Sequence, residues 1–494
     1  MQSNTDLPVD LDAHNGLRGA AALWVCIFHC LLYSKLEVDW QGSSLMPLFF
    51  MLSGFSLTVV YGARGAVEVS LCGRPSRCGC CGSSSSRDAS ALPPRPLPVL
   101  SFLQNRLARV VPMYYFSNLL ALPPAFFGYG GWPASSLGAS LGLTFAMLTT
   151  LVTPLTGLLF SPINGPSWTV VTLLFMWLAF PWLLQWAQRL SDQAVGWAIL
   201  WCWLLQVTWM WVLFAALAPL GSWPAFATAT MHPLGRLPLL FMGVLAAELC
   251  MRHPAKAGAA QGPPLPMPIN AAGIMPLPRV WCCRGAGSSN SSILSSSGGE
   301  QQGQQGQQGQ QGQQEQELAA GSWAATADLT AACLLLATLA VGAGDTALRV
   351  LTGRPGGLLG SMWLQCCVPY AQLQLLVALT RDGGASLTSR ALRTPLAQWL
   401  GQVSMNLYLC HFPLIAYLAW AMQGGTNAEP PELQCATLPL PQQPACESAL
   451  AAYAGTQLMP SWGVLVVLPA ALLLAWVAGW AVEEPGRRAL RAGK

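Results

Sequence analysis

The chain has 494 residues, of which 53% are hydrophobic and only 9% are charged, and its mean hydropathy is +0.44. Because soluble domains carry about 25% charged residues, this composition excludes an ordinary water-soluble protein. The net charge of +4 is small and is not clustered on a helical face, which excludes a nucleic-acid-binding protein. The predicted fold class is all-α, a polytopic transmembrane helical bundle.

Apolar runs long enough to span a bilayer recur along the whole chain. Eleven candidates lie at 17–34, 44–62, 110–128, 137–160, 167–187, 194–217, 233–251, 323–342, 358–380, 396–420 and 462–482. The first run follows an acidic segment without a basic region, so we expect it to be retained as a span and not removed as a signal peptide.

Two long polar segments interrupt this pattern. Residues 63–100 are rich in Ser, Gly, Pro, Cys and Arg, and residues 252–322 are Pro-rich, then Ser/Gly-rich, then a series of Gly-Gln-Gln repeats. Neither composition can bury a core. We therefore expect two disordered cytosolic loops, inserted into one membrane domain that covers residues 11–490.

The distribution of basic residues predicts the orientation. The segment 63–109 contains seven Arg, and the positive-inside rule places it in the cytosol. The remaining groups of basic residues also lie in the cytosol only if the run 137–160 does not cross the membrane. Gly and Pro interrupt this run, so we expect it to be re-entrant or interfacial. The prediction is therefore about ten spans with cytosolic N- and C-termini, which leaves four of the 24 Lys and Arg residues outside.

Ionisable residues within the spans are few, and such residues are commonly functional. Arg18 and His29 are eleven positions apart on the first span, or about three turns plus 20°, so they share one face at a separation of about 16 Å. One interpretation is an arginine that extends to the interface and an incidental core histidine. The other is a charged mouth that leads to a basic centre.

Three further residues extend this pattern. His411 is expected at a similar depth in the span 396–420, where a hydrogen-bonded core histidine is an equally good interpretation. Arg106 and Arg109 share one face at the start of a helix. Two adjacent guanidinium groups suit a phosphate-bearing ligand, although anchoring against anionic lipid explains them as well.

Seven blocks together resemble the acyltransferase-3 family of integral-membrane acyltransferases. They are LDAHNGLRGAAALWVCIFH (11–29), FFMLSGFSLT (49–58), FLQNRLARVVPMYY (102–115), NGPSWTVVTLLFMWLAFP (164–181), HPLGRLPLLFMGVLAAE (232–248), LGQVSMNLYLCHFPL (400–414) and EEPGRR (483–488). The resemblance implies transfer of an acyl group, with acetyl expected, from acyl-CoA to a hydroxyl of a carbohydrate, lipid or other acceptor.

The same resemblance implies roles for individual residues. His29 is the expected catalytic residue, and acyl-CoA is a co-substrate, with no bound cofactor and no metal expected. The expected donor-binding residues are Arg18, Arg106 and Arg109. The expected pore or acceptor contacts are Ser53, Trp168, Tyr408 and His411.

One position departs from the family pattern. The family often has Trp-Ser-Leu-Ser-Val-Glu where this chain has WTVVTL, so Leu173 stands at the position of that Glu. Either this Glu is dispensable, or the way the protein binds its acceptor has changed, or its activity has changed. A multi-span transporter or flippase with His29 as a proton relay, and an inactive homologue, therefore stay as alternatives.

Acyl transfer from a thioester needs a nucleophile, a base for its proton, and donors for the oxyanion. A neutral imidazole at His29 can act as the base or carry the acyl group itself. Ser53 and Tyr408 are the candidate oxyanion donors.

Overall fold

The computed structural model describes residues 9–34, 36, 40–62, 66–70, 95–129, 137–156, 162–218, 222–253, 301–352, 358–425 and 458–491. Most of these residues are helical. The α-helices in chain order are α1 (Asp12–Leu32), α2 (Met46–Gly62), α3 (Val99–Phe126), α4 (Leu137–Phe145), α5 (Thr149–Thr156), α6 (Trp168–Arg189), α7 (Asp192–Leu217), α8 (Ser222–Met231), α9 (Pro233–Arg252), α10 (Gln301–Thr352), α11 (Leu358–Arg381), α12 (Leu387–Leu392), α13 (Pro395–Met422), α14 (Gly463–Ala478) and α15 (Glu484–Leu490).

Short irregular helices extend three of these elements. The 3₁₀-helices Gly42–Leu45 and Gly165–Ser167 lead into α2 and α6, and the π-helical turn Gly479–Glu483 joins α14 to α15. Two strands, β1 (Val67–Ser70) and β2 (Arg95–Pro98), form a parallel pair.

Nine helical segments within the described part of the chain are long and apolar enough to cross a membrane. The helices α7, α10 and α14 leave large apolar side chains exposed, such as Trp201 (65%), Leu336 (66%) and Leu465 (78%). Such a surface is stable in lipid and not in water. The predicted polytopic helical bundle is therefore confirmed.

The predicted spans 110–128 and 137–160 have a different form in the structure. The first lies in α3, which begins at Val99 and is long enough at 28 residues, but is too polar to be among the nine. The second is broken into α4 and α5, of nine and eight residues, and 157–161 lie outside the described residues. A helix of nine residues is only about 14 Å long, so neither piece can cross.

The structure has regular elements at the ends of the two polar segments. The strands β1 and β2 pair close to the two ends of the first segment. The helix α10 begins at Gln301 and therefore includes the Gln-rich repeats, because Gln and Ala favour helix and the long apolar part propagates it. Residues 71–94 and 254–300 lie outside the described residues.

Glycines let the central helices approach closely. A Cβ atom on Gly54 of α2 would lie 2.1 Å from the carbonyl oxygen of Leu240 on α9, and one on Gly243 would lie 2.1 Å from that of Met51. Small residues at such crossings are typical of helix packing in membranes. The pair α2 and α9 thus forms a tightly packed wall beside the site described next.

Candidate active site

A cavity of about 550 Å³ lies between α1, α2, α3, α6 and α13. Its lining includes Arg18 from α1 and both Arg106 and Arg109 from α3. The other side chains that line it are Leu11, Asp12, Asn15, Phe49, Phe50, Leu52, Ser53, Ser56, Leu57, Val60, Val110, Thr169, Leu173, Trp177, Gln398, Gln402, Ser404, Met405 and Tyr408. The three arginines that the sequence predicts to bind one ligand therefore share one cavity.

The charges of these arginines are largely uncompensated. None of the three forms an ion pair within the described part of the chain, and Asp12 is the one carboxylate among the described lining residues. The guanidinium of Arg106 lies 5.7 Å from the ring centroid of Tyr61, and its buried Nε has no hydrogen-bond partner. A cavity with three cations and one carboxylate favours an anionic ligand.

The two intramembrane histidines are in direct contact. Nδ1 of His29 lies 2.8 Å from Nε2 of His411, and the two rings are nearly parallel with centroids 5.0 Å apart. The side chain of His411 is fully buried, whereas His29 is partly exposed. We call this pair the histidine dyad.

The hydrogen bonds of the dyad determine where its protons lie. Nδ1 of His411 is 3.1 Å from the carbonyl oxygen of Leu407, which can only accept, so this nitrogen carries a proton. In neutral His411 the other nitrogen, Nε2, is then an acceptor, and His29 donates to it from Nδ1. The remaining nitrogen of His29, Nε2, therefore has a free lone pair, as a general base requires.

The register of α1 against α13 brings the dyad together. The helices meet at Gly19, where a Cβ atom would lie 2.4 Å from the backbone nitrogen of Gly401. Each histidine follows its glycine by ten residues, so each lies about 15 Å beyond the crossing. The hydrogen bond of Asn15 to Gln398, 3.0 Å long, shows the same parallel register one turn before it. The equal Gly-to-His spacing on the two helices is consistent with this contact but does not by itself predict it.

The comparisons with known proteins identify one family. The profile of a family described as an acyltransferase domain matches residues 11–260, about half of the chain. The chain belongs to the acyltransferase-3 family. It is therefore a membrane acyltransferase. No curated protein and no solved structure matches it.

Of the family-motif residues Ser53 and Trp168, the first lines the cavity and the second does not. Ser53 lies on the cavity wall, where its Oγ accepts a hydrogen bond of 3.2 Å from Nε1 of Trp177. Trp168 is not among the lining residues, and its ring packs against that of Phe50, which is, at 6.1 Å between centroids.

His411 and Tyr408 lie on the same face of α13, beyond the residues matched by the family profile. The expectation that His411 contacts a pore or acceptor stays a prediction. In the structure its ring is fully buried and contacts His29 and the Leu407 carbonyl. Tyr408 lines the cavity, and its ring centroid is 6.0 Å from that of His411. Tyr408 is thus a cavity residue that lies beside the dyad, whereas neither histidine is among the described lining residues.

The Asn-Gly-x-x-Trp segment (164–168) is hydrogen-bonded to α13 close to the dyad. Nδ2 of Asn164 donates a hydrogen bond of 2.7 Å to the carbonyl oxygen of Leu409, two residues before His411. The backbone nitrogen of Asn164 donates to Oδ1 of Asn118 on α3, at 3.1 Å. The role of Asn118 was missed in the sequence, although a buried Asn in an apolar run is a recognisable signal.

The departure from the family pattern at Leu173 is in the cavity wall. The cavity consequently lacks the carboxylate that many family members have there. A different acid, Glu483 of the closing Glu-x-Pro motif, accepts a hydrogen bond of 3.0 Å from Asn406 on α13. This interaction fixes the end of the chain next to α13 and could not be read from the sequence.

Proposed function

We propose that this acyltransferase moves an acyl group, with acetyl as the expected group, from acyl-CoA to a hydroxyl of a carbohydrate, lipid or other acceptor. The observation that carries the proposal is the 2.8 Å contact between His29 and His411, which leaves Nε2 of His29 free to accept a proton. A neutral imidazole with an oriented partner is the usual base for activating an alcohol.

The arginine cavity supports acyl-CoA as the donor. Guanidinium groups bind phosphate oxygens through two parallel hydrogen bonds, and three such groups line this cavity. With the orientation that the positive-inside rule predicts, the arginines are at the cytosolic side, where acyl-CoA is available. The rise of about 16 Å from Arg18 to His29 then suits a long, thin thioester arm that enters from that side.

In the proposed reaction His29 of the dyad acts twice, first as a base and then as an acid. Nε2 of His29 takes the proton of the acceptor hydroxyl while the hydroxyl oxygen bonds to the thioester carbon. The imidazolium that forms is stabilised by its hydrogen bond to the neutral ring of His411. When the carbonyl re-forms and the carbon–sulfur bond breaks, His29 returns the proton to the departing CoA thiolate.

Release of free CoA thiol by the purified chain in detergent tests the proposal. We expect wild-type protein to cleave acetyl-CoA slowly in water and faster when a suitable acceptor is present. Comparing the ester-linked acyl groups on lipids and glycans of cells with and without the protein identifies that acceptor. A folded wild-type protein that binds acyl-CoA but neither cleaves it nor transfers its acyl group would contradict the proposal, as would transport without transfer.

A further inference from the structure

Tyr408 lies where the arginine cavity meets the histidine dyad. It is on the cavity wall, one turn before His411 on α13, and its side chain is only 7% exposed. Its ring centroid lies 6.0 Å from that of His411 and 6.0 Å from that of Phe49. Neither histidine is among the described residues that line the cavity, so an arm that continued from the arginines to the dyad would have to pass beyond this wall.

Among the described residues, the hydroxyl of Tyr408 donates its hydrogen bond to a weak acceptor. It points to the sulfur of Met46 at 3.6 Å, and a thioether is a weak hydrogen-bond acceptor. A second polar neighbour is Thr169, whose hydroxyl donates to the carbonyl oxygen of Pro166 at 3.0 Å and keeps lone pairs that can accept from Tyr408. Because a thioester carbonyl accepts a hydrogen bond more strongly than a thioether, a ligand in the cavity can take the Tyr408 hydroxyl from the Met46 sulfur.

We propose that the Tyr408 hydroxyl donates a hydrogen bond to the thioester carbonyl oxygen during acyl transfer. The assignment rests on the proposed function. As the acceptor oxygen bonds to the carbonyl carbon, the carbonyl electron pair moves onto its oxygen, and Tyr408 stabilises the resulting oxyanion. The pair returns when the carbon–sulfur bond breaks, the thiolate leaves, and His29 gives it the acceptor's proton. Ser53, the other candidate donor, has its observed contact with Trp177 and not with the dyad.

The substitution Tyr408→Phe removes the hydroxyl and keeps the ring. We expect kcat for acyl transfer to fall by roughly 10²–10³-fold, as for loss of one oxyanion donor. The KM and the binding of acyl-CoA should change little, because the bond forms fully only in the transition state. The matched control is Tyr114→Phe, since Tyr114 is also a buried tyrosine, with its hydroxyl 2.6 Å from the carbonyl oxygen of Thr144.

A second measurement separates chemistry from folding. Fluorotyrosines introduced at position 408 keep the size and the hydroxyl but change its acidity, so kcat should vary progressively along the series. Unchanged kcat in Tyr408→Phe, an equal loss in Tyr114→Phe, or no dependence on fluorination would overturn the assignment to Tyr408 alone. Absence of transfer by the wild-type protein would overturn the proposed function together with it.

Discussion

Removing His411 tests how the dyad orients the catalytic base. In His411→Ala, the Nδ1 proton of His29 loses an acceptor that lies at 2.8 Å. An unsatisfied buried donor costs about 1–3 kcal/mol. His29 avoids this penalty by moving the proton to Nε2, which is the nitrogen that must accept one. Since about 1.4 kcal/mol corresponds to a factor of ten in rate, kcat should fall by roughly 5–150-fold.

The assay is steady-state acyl transfer by purified protein at matched amounts of folded material. The KM for acyl-CoA should stay near its wild-type value, because the arginines are not altered. The control is His14→Ala, which removes another fully buried histidine whose Nε2 lies 3.1 Å from a carbonyl oxygen, that of Leu376. It should lower the yield of folded protein but not kcat. Wild-type kcat in His411→Ala, or the same loss in both variants, would refute the role of the dyad.

Three other predictions concern the donor site, the packing and the topology. The variant Arg18→Ala should raise the KM for acyl-CoA more than it lowers kcat, and Arg18→Lys should restore affinity only in part because an ammonium cannot form two parallel bonds; a loss confined to kcat would contradict this. The variant Gly54→Ala places a Cβ atom 2.1 Å from the Leu240 carbonyl oxygen and should lose about 1–3 kcal/mol of stability, seen as a lower melting temperature in detergent; unchanged melting would contradict the close packing. Accessibility tags near residue 90 and at the C-terminus should share a side with the N-terminus, and a tag near residue 430 should lie opposite; the same side for 90 and 430 would contradict the predicted topology.

The helical bundle and the shared site of the three arginines could be predicted because each rests on a short stretch of sequence. Long apolar runs define spans, and charges in such runs are rare enough to be noticed one by one. The pair Arg106 and Arg109 shares a helical face, and Arg18 begins a span, so convergence on one ligand was a reasonable expectation. The structure places all three on one cavity.

The contact between His29 and His411 could be predicted only as a similarity in depth. Whether two histidines 382 residues apart touch depends on the register of their helices, which the backbone contact of Gly19 with Gly401 sets. Likewise, the position of Trp168 outside the cavity lining depends on how the helices pack. Contacts of this kind depend on tertiary packing, which a single sequence predicts poorly.

The most direct test of the proposed function compares wild-type protein with His29→Gln. Both proteins are purified in detergent, matched for folded amount and for acyl-CoA binding, and assayed for transfer of a labelled acyl group. Loss of a positioned base typically costs about 10²–10⁴-fold in rate, so the variant should bind the donor normally and transfer almost nothing. Equal transfer by the two proteins would contradict the assignment of His29 as the catalytic base.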